Sequence, residues 1–199
     1  MGYERKSIWL VMKKHIILAS NSPRRRELLA GLDLDFEVKV LPNVAENYPH
    51  NLPAVEVAGY IAQEKADVYK TLITEDDLVI TADTVVVVDN TVLGKPKDAD
   101  DARRMLHLIS GRRHQVVTGV CLLTSTGYRS FSVTTDVTFK QLSDDEINYY
   151  IKHFKPFDKA GAYGIQEWIG YVGVTSINGS YFNVMGLPVQ RIWEEIHKL

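Results

Sequence analysis

The chain has one cysteine, Cys121, in 199 residues, so no internal disulfide can form and a reducing setting such as the cytoplasm is expected. Cys121 lies in the apolar run from Val116 to Leu123 and reads as a buried small hydrophobe. No apolar run approaches the roughly 20 residues a membrane-spanning helix needs, so no membrane partner is expected. Neither Gly-x-x-x-x-Gly-Lys-Ser/Thr nor Gly-x-Gly-x-x-Gly occurs, which disfavours P-loop kinases and leaves Gly94-Lys95 without a Walker role. The six histidines show no metal-ligand spacing and no HExxH, so any metal should be a hard, oxygen-bound ion such as Mg²⁺ or Mn²⁺ rather than zinc. The formal charge of −2 supplies no strongly basic face, which argues against nucleic acid as a partner. Repeats, low-complexity runs and linker-like segments are absent.

What is present is an ordinary globular composition, 45% hydrophobic and 24% charged, long enough for one domain or two small lobes. Residues 1–13 read as an extension ahead of the first strand, with Met12 a candidate start, and residues 14–199 as one domain. Strands are expected at 15–19, 36–40, 78–82 running into 85–88, 115–124 and 129–141. Helices are expected at 24–32, 54–72, 98–109, 143–154 and 187–199, with Ser143 and Glu146 forming a capping box. Residues 42–53 read as a loop and 159–166 as irregular, glycine-punctuated chain. This mixture points to α/β or α+β with an extended sheet.

The organising stretch is Ser20-Asn21-Ser22-Pro23-Arg24-Arg25-Arg26, directly after an apolar strand. Ser22 and Pro23 read as an N-cap and a first helical proline. First turns favour acidic residues, because a helix N-terminus carries about half a positive charge, yet three arginines stand here. Phosphate is the natural neutraliser, with Arg26 left to solvent. Asp83 ends the apolar run Leu78 to Ala82, where open sheets present a ligand crevice, and can hold a cation or take a proton from water. Read alone, Asp83 equally suits a turn cap, and Lys65 and Lys95 suit a solvated helix face and a loop.

Taken together, several segments closely resemble the Maf family of nucleoside triphosphate pyrophosphatases. They are Leu-Ala-Ser-Asn-Ser-Pro-Arg-Arg at 18–25, Glu-Lys-Ala at 64–66, Ala-Asp-Thr-Val-Val at 82–86 and Leu-Gly-Lys-Pro at 93–96. Ser110-Gly111-Arg112, His114, Val117-Thr118 and Asp-Lys-Ala-Gly-Ala-Tyr-Gly-Ile-Gln at 158–166 complete the pattern, over residues 14–198. The resemblance implies a two-lobed α/β fold, a mixed sheet with flanking helices similar to inosine triphosphatase, with the substrate cleft between lobes. It implies hydrolysis between the α- and β-phosphates of a nucleoside triphosphate, with Asp83 as catalytic base. By the same resemblance Ser20, Arg24, Arg25, Lys65 and Lys95 would bind substrate, and Arg24, Thr84 and Gln166 would set specificity. Glu46, whose spacing from Phe36 and neighbour Ala45 depart from the commonest pattern, would join Asp83 at the metal. The 158–166 segment looks like the dTTP/UTP branch rather than the 7-methyl-GTP branch, although Glu167-Trp168 replaces the usual small residue. A homodimer is compatible with this reading. The rival readings are a non-catalytic nucleotide-binding regulator of cell division and a pyrophosphatase acting on 7-methyl-GTP or on modified pyrimidine nucleotides.

Overall fold

The computed structural model describes residues 14–42, 44 and 46–199, so the extension read over 1–13 and the neighbour of Glu46 at 45 lie outside the described residues. In chain order the elements are β1 (His15–Leu18), α1 (Pro23–Ala30), β2 (Phe36–Val38), a 3₁₀ turn (Ala54–Glu56) leading into α2 (Val57–Asp67), β3 (Asp77–Val88) and β4 (Thr91–Leu93). There follow α3 (Ala99–Ile109), β5 (Arg113–Thr124), β6 (Gly127–Phe139), α4 (Asp144–Phe154), a 3₁₀ turn (Ala160–Ala162), α5 (Trp168–Gly173), β7 (Val174–Asn178), α6 (Tyr181–Met185) and α7 (Val189–Ile196). One mixed sheet in the order β2-β1-β3-β5-β6-β7, with β4 on β3, carries helices on its faces, in agreement with the expected α/β class. No described helix is long and apolar enough to cross a membrane.

The sheet creates its own cleft. β1 lies parallel to β3 over residues 77–80, β4 lies antiparallel to it over 86–88, and β5 covers the opposite edge over 79–87. Both short strands therefore share one edge of β3, and the segment between them has no strand on that side. Asp83 sits in this gap. At the β1 end a core forms from Ile16, Leu18, Leu78 and Ile80 with Leu28 and Leu29 of α1 and Ile192 of α7. At the β4 end a second core joins Val86, Val88 and Leu93 to Leu106, Ile109, Ile147 and Tyr150 of α3 and α4.

Helix α1 forms despite its arginines. Ser22 Oγ accepts from the Arg25 amide and Pro23 opens the helix, as the sequence implied. Burying Leu28 and Leu29 is worth about 1.5–3 kcal/mol each, which outweighs a dipole penalty of about 0.3–1 kcal/mol per arginine. The α4 capping box between Ser143 and Glu146 is present.

Several boundaries differ from expectation, and β4, α5, β7 and α6 are further elements. Residues 54–72 are a 3₁₀ turn, α2 and then turns, because Tyr69 turns inward and its hydroxyl donates to the Lys39 carbonyl while accepting from the Leu41 amide. The closing helix begins at Val189 rather than 187. β7 has a mostly exposed pattern with little strand signal of its own; it is a strand by virtue of pairing with β6.

Helix α2 lies unusually close to β5. A β-carbon on Gly119 would overlap the backbone of Ala58 and Gly59, so only glycine lets the helix settle there. Gly119→Ala should cost about 2–3 kcal/mol by overpacking, read as a lower urea midpoint; an unchanged midpoint would show that the helix can move away freely.

Candidate active site

Strand alternation decides which face each β3 side chain meets. Thr81 and Asp83 face α2, where the Thr81 hydroxyl donates to the Ala62 carbonyl at 2.6 Å and Asp83 Oδ1 lies 2.8 Å from Lys65 Nζ. Lys65 also pairs with Glu46 Oε1 at 2.7 Å, so one ammonium joins two carboxylates from separate segments. Burial by itself would raise the Glu46 pKa. The hydrogen bond from Lys65, with the charges of Lys65, Lys95 and Arg25, outweighs it and holds Glu46 below the ordinary carboxylate range.

Thr84 faces the other way, toward α1. There the half-buried Arg25 guanidinium donates through Nε to the Gly186 carbonyl at 2.8 Å, through Nη1 to the Ala82 carbonyl at 2.9 Å, and through Nη2 to Thr84 Oγ1 at 3.0 Å. Burial lowers the Arg25 pKa, and the charge of Asp83 works against that shift. The Thr118 hydroxyl gives its proton to the Asn183 carbonyl, so in its 2.9 Å contact with Thr84 it must accept. Thr84 therefore spends its own proton on Thr118 and accepts from Arg25.

Arg24 is placed differently from its neighbour. Its Nη1 donates to Asp158 Oδ2 at 2.8 Å near the surface. Burial would raise the Asp158 pKa, but bonds from Lys159 and Arg24 hold it down at about 2, so the carboxylate is charged at neutral pH. Arg26 is exposed, as expected. Ser20 is buried at the end of β1, its hydroxyl accepting from the Ser22 amide at 3.2 Å. Lys95 is exposed on the turn after β4. Gln166 presents a buried Oε1 that has no hydrogen-bond partner.

All nine residues singled out in the sequence line one cleft of about 580 Å³, in the size range of small-molecule sites. Sequence reasoning overlooked Lys159, a buried cation on the same wall that pairs with Asp158 at 2.7 Å and Glu167 at 3.0 Å. Glu167, noticed only as a departure from a pattern, also accepts from the Tyr150 hydroxyl. The only sequence signal was the Asp-Lys pair at 158–159 within a glycine-rich segment, which by itself looks like surface charge. Among the described residues no group of three or more His, Cys, Asp or Glu converges. Asp83 and Glu46 nonetheless suit Mg²⁺, which commonly takes one or two carboxylates and completes its shell with water and substrate phosphates.

The two arginines should separate in stability. Arg25→Ala removes charged donors from the Ala82 and Gly186 carbonyls and should cost about 2–3 kcal/mol without ligand. Arg24→Ala breaks a partly exposed pair and should cost less than about 1 kcal/mol. Urea denaturation of both variants measures this, and equal losses would contradict the division.

The dTTP/UTP pyrophosphatase of Phocaeicola vulgatus is 60% identical over 187 residues, covering 94% of this chain and 97% of its own. That of Parabacteroides distasonis is 54% identical over 186 residues, covering 93% and 96%. The solved structure of the Staphylococcus aureus Ham1 protein aligns over 63% of this chain and 72% of its own, at 15% identity and a TM-score of 0.45, a likeness too slight to carry any assignment. The family model described as Maf-like protein matches residues 15–199, from the first residue of β1 onward and so across every element that builds the cleft. By that match, and by relatives sharing half or more of their residues with it along nearly their full length, this chain belongs to the Maf family.

Proposed function

We propose that this chain hydrolyses dTTP and UTP to the monophosphate and pyrophosphate, assisted by Mg²⁺ or Mn²⁺ held by Asp83 and Glu46. The relatives named above carry that activity in their names, and the cleft has the chemistry for it. The observation that carries the reading is the placement of a buried carboxylate, Asp83, among cations suited to polyphosphate. A protein that only bound nucleotides would be weakened by an acid facing the phosphates; a hydrolase needs one.

In this reading Asp83 takes the proton from the water that attacks the α-phosphorus. Lys65 orients Asp83 through the 2.8 Å contact, and Glu46 shares the same ammonium. Arg24 and Lys95 meet the charge of the departing pyrophosphate, with Asp158 occupying at Arg24 the place of an anion. Arg25 contributes its remaining N–H groups, since three of the five that a guanidinium carries are bound within the protein. Ser20 lines the phosphate end of the site. A bound divalent cation would add charge neutralisation and a more acidic water. Gln166 reads the base: its unpartnered Oε1 suits the N3–H of uracil or thymine and its Nε2 donates to a neighbouring ring carbonyl, a donor that a carboxylate lacks. Thr84, its proton already spent, helps chiefly by holding Arg25 in place. Nucleoside triphosphates as substrates, and a buried free thiol at Cys121, suit a cytoplasmic setting.

Purified protein with Mg²⁺ or Mn²⁺ should release pyrophosphate from dTTP and UTP. Asp83→Asn should lower turnover by about 10²–10⁴-fold while the melting temperature stays near wild type. Turnover above about a tenth of wild type would remove Asp83 from the role of base. Gln166→Glu should lower kcat/KM for dTTP and UTP by about 10–100-fold, and less for GTP and 7-methyl-GTP. Equal losses for all four nucleotides would show that Gln166 supports its loop and does not read the base.

A further inference from the structure

We propose that Lys159 is a second base-reading residue, donating a hydrogen bond to the O4 carbonyl of uracil or thymine and thereby excluding cytosine. This rests on the pyrimidine reading above and supplies what Gln166 alone cannot. A glutamine amide is ambidextrous: rotated by half a turn it exchanges acceptor for donor, so it can meet the N3–H of uracil or the bare N3 of cytosine equally well. An ammonium cannot accept. Placed at position 4 it welcomes a carbonyl and rejects the amino group of cytosine.

Three observations place Lys159 for this role. First, its side chain is only 9% exposed, yet it lines the cleft together with Gln166. Two of its three N–H groups point to Asp158 Oδ1 at 2.7 Å and Glu167 Oε1 at 3.0 Å, which leaves one for a ligand. Second, the local charge suits a neutral base. Asp158 and Glu167 balance Lys159 and Arg24, which leaves no surplus positive charge on this wall, whereas Lys65, Lys95 and Arg25 outnumber Asp83 and Glu46 by one. Third, Lys159 and Gln166 converge. A β-carbon on Gly164 would lie 3.0 Å from Lys159 Cε, 3.1 Å from Glu167 Cδ and 3.2 Å from Gln166 Nε2. The bare backbone of Gly164 is therefore the floor over which all three side chains meet.

Glu167 acts as the positioning residue. One of its oxygens holds Lys159, and the other accepts from the Tyr150 hydroxyl, which itself accepts from the Gly164 amide at 3.0 Å. The Glu167 amide also donates to the Gly164 carbonyl at 3.0 Å, closing the turn that carries Gln166. The glutamate that departs from the sequence pattern thus ties the lysine and the glutamine into one rigid donor–acceptor pair.

The test is pyrophosphate release from UTP, dTTP and CTP by wild type, Lys159→Gln and Gly164→Ala, with a melting scan on each protein. Glutamine at 159 keeps a donor for the flanking carboxylates but can also accept from cytosine. Alanine at 164 leaves every charge in place and crowds the meeting point. In Lys159→Gln, kcat/KM for UTP and dTTP should fall about 10–100-fold, mostly through KM, with CTP nearly unchanged. Gly164→Ala should move the UTP-to-CTP ratio in the same direction. A ratio unchanged in both variants, with wild type active on UTP, would overturn the role of Lys159 and leave the hydrolase intact. Wild-type protein releasing no pyrophosphate from any nucleotide would overturn the parent reading and this one with it.

Discussion

Most of the cleft is arranged around one half-buried guanidinium, that of Arg25. The Ile80 carbonyl bonds the Ala19 amide, and two residues on the Ala82 carbonyl faces the same edge of the sheet, where no strand arrives. A buried carbonyl without a partner is costly, and Arg25 is the donor that removes the cost. The same side chain reaches Thr84 and the Gly186 carbonyl, so three parts of the chain converge on one planar fork. The gap in the sheet becomes a lined cleft instead of a defect.

From that arrangement follows a division of the cleft by charge. Strand alternation sends Asp83 to the α2 face and Thr84 to the α1 face, so one strand supplies the acid and the support for Arg25 from adjacent positions. The carboxylates of Asp83 and Glu46 share Lys65, which keeps mutual repulsion low. Across the cleft, Asp158 and Glu167 enclose Lys159. Where Lys65, Lys95 and Arg25 outnumber two carboxylates the cleft suits phosphates; where two carboxylates balance Lys159 and Arg24 it suits a neutral ring.

The close seat of α2 on β5 connects packing to chemistry. Because Gly119 has no side chain, the helix settles against the sheet, and Lys65 on that helix comes within hydrogen-bond distance of Asp83. Tyr69, just past the end of α2, holds the backbone at 39–41 and so anchors the start of the loop that leads to Glu46. Two side chains that look unrelated in the sequence are brought together by one helix and the turn after it.

The sequence by itself determined the element types, the arginine-first helix with its Ser22 cap, and the residues that end up around the cleft. These signals are local: apolar alternation, caps and short motifs are complete within a few residues, and the family resemblance added their order. Only the tertiary structure decided how neighbouring residues divide their labour. Arg24 and Arg25 are alike in sequence, yet one is half-buried on a carboxylate and the other is spent on three neutral acceptors. Lys159 and Glu167 were hidden for the same reason, since a charged residue in a loop looks solvated until the partners that bury it are known. β7 gained strand character only from β6. Partners distant in the chain, such as Arg25 with Gly186 or Tyr150 with Glu167, leave no periodic trace, because hydrogen bonds between side chains and remote backbone depend on where the chain returns and not on what it is locally.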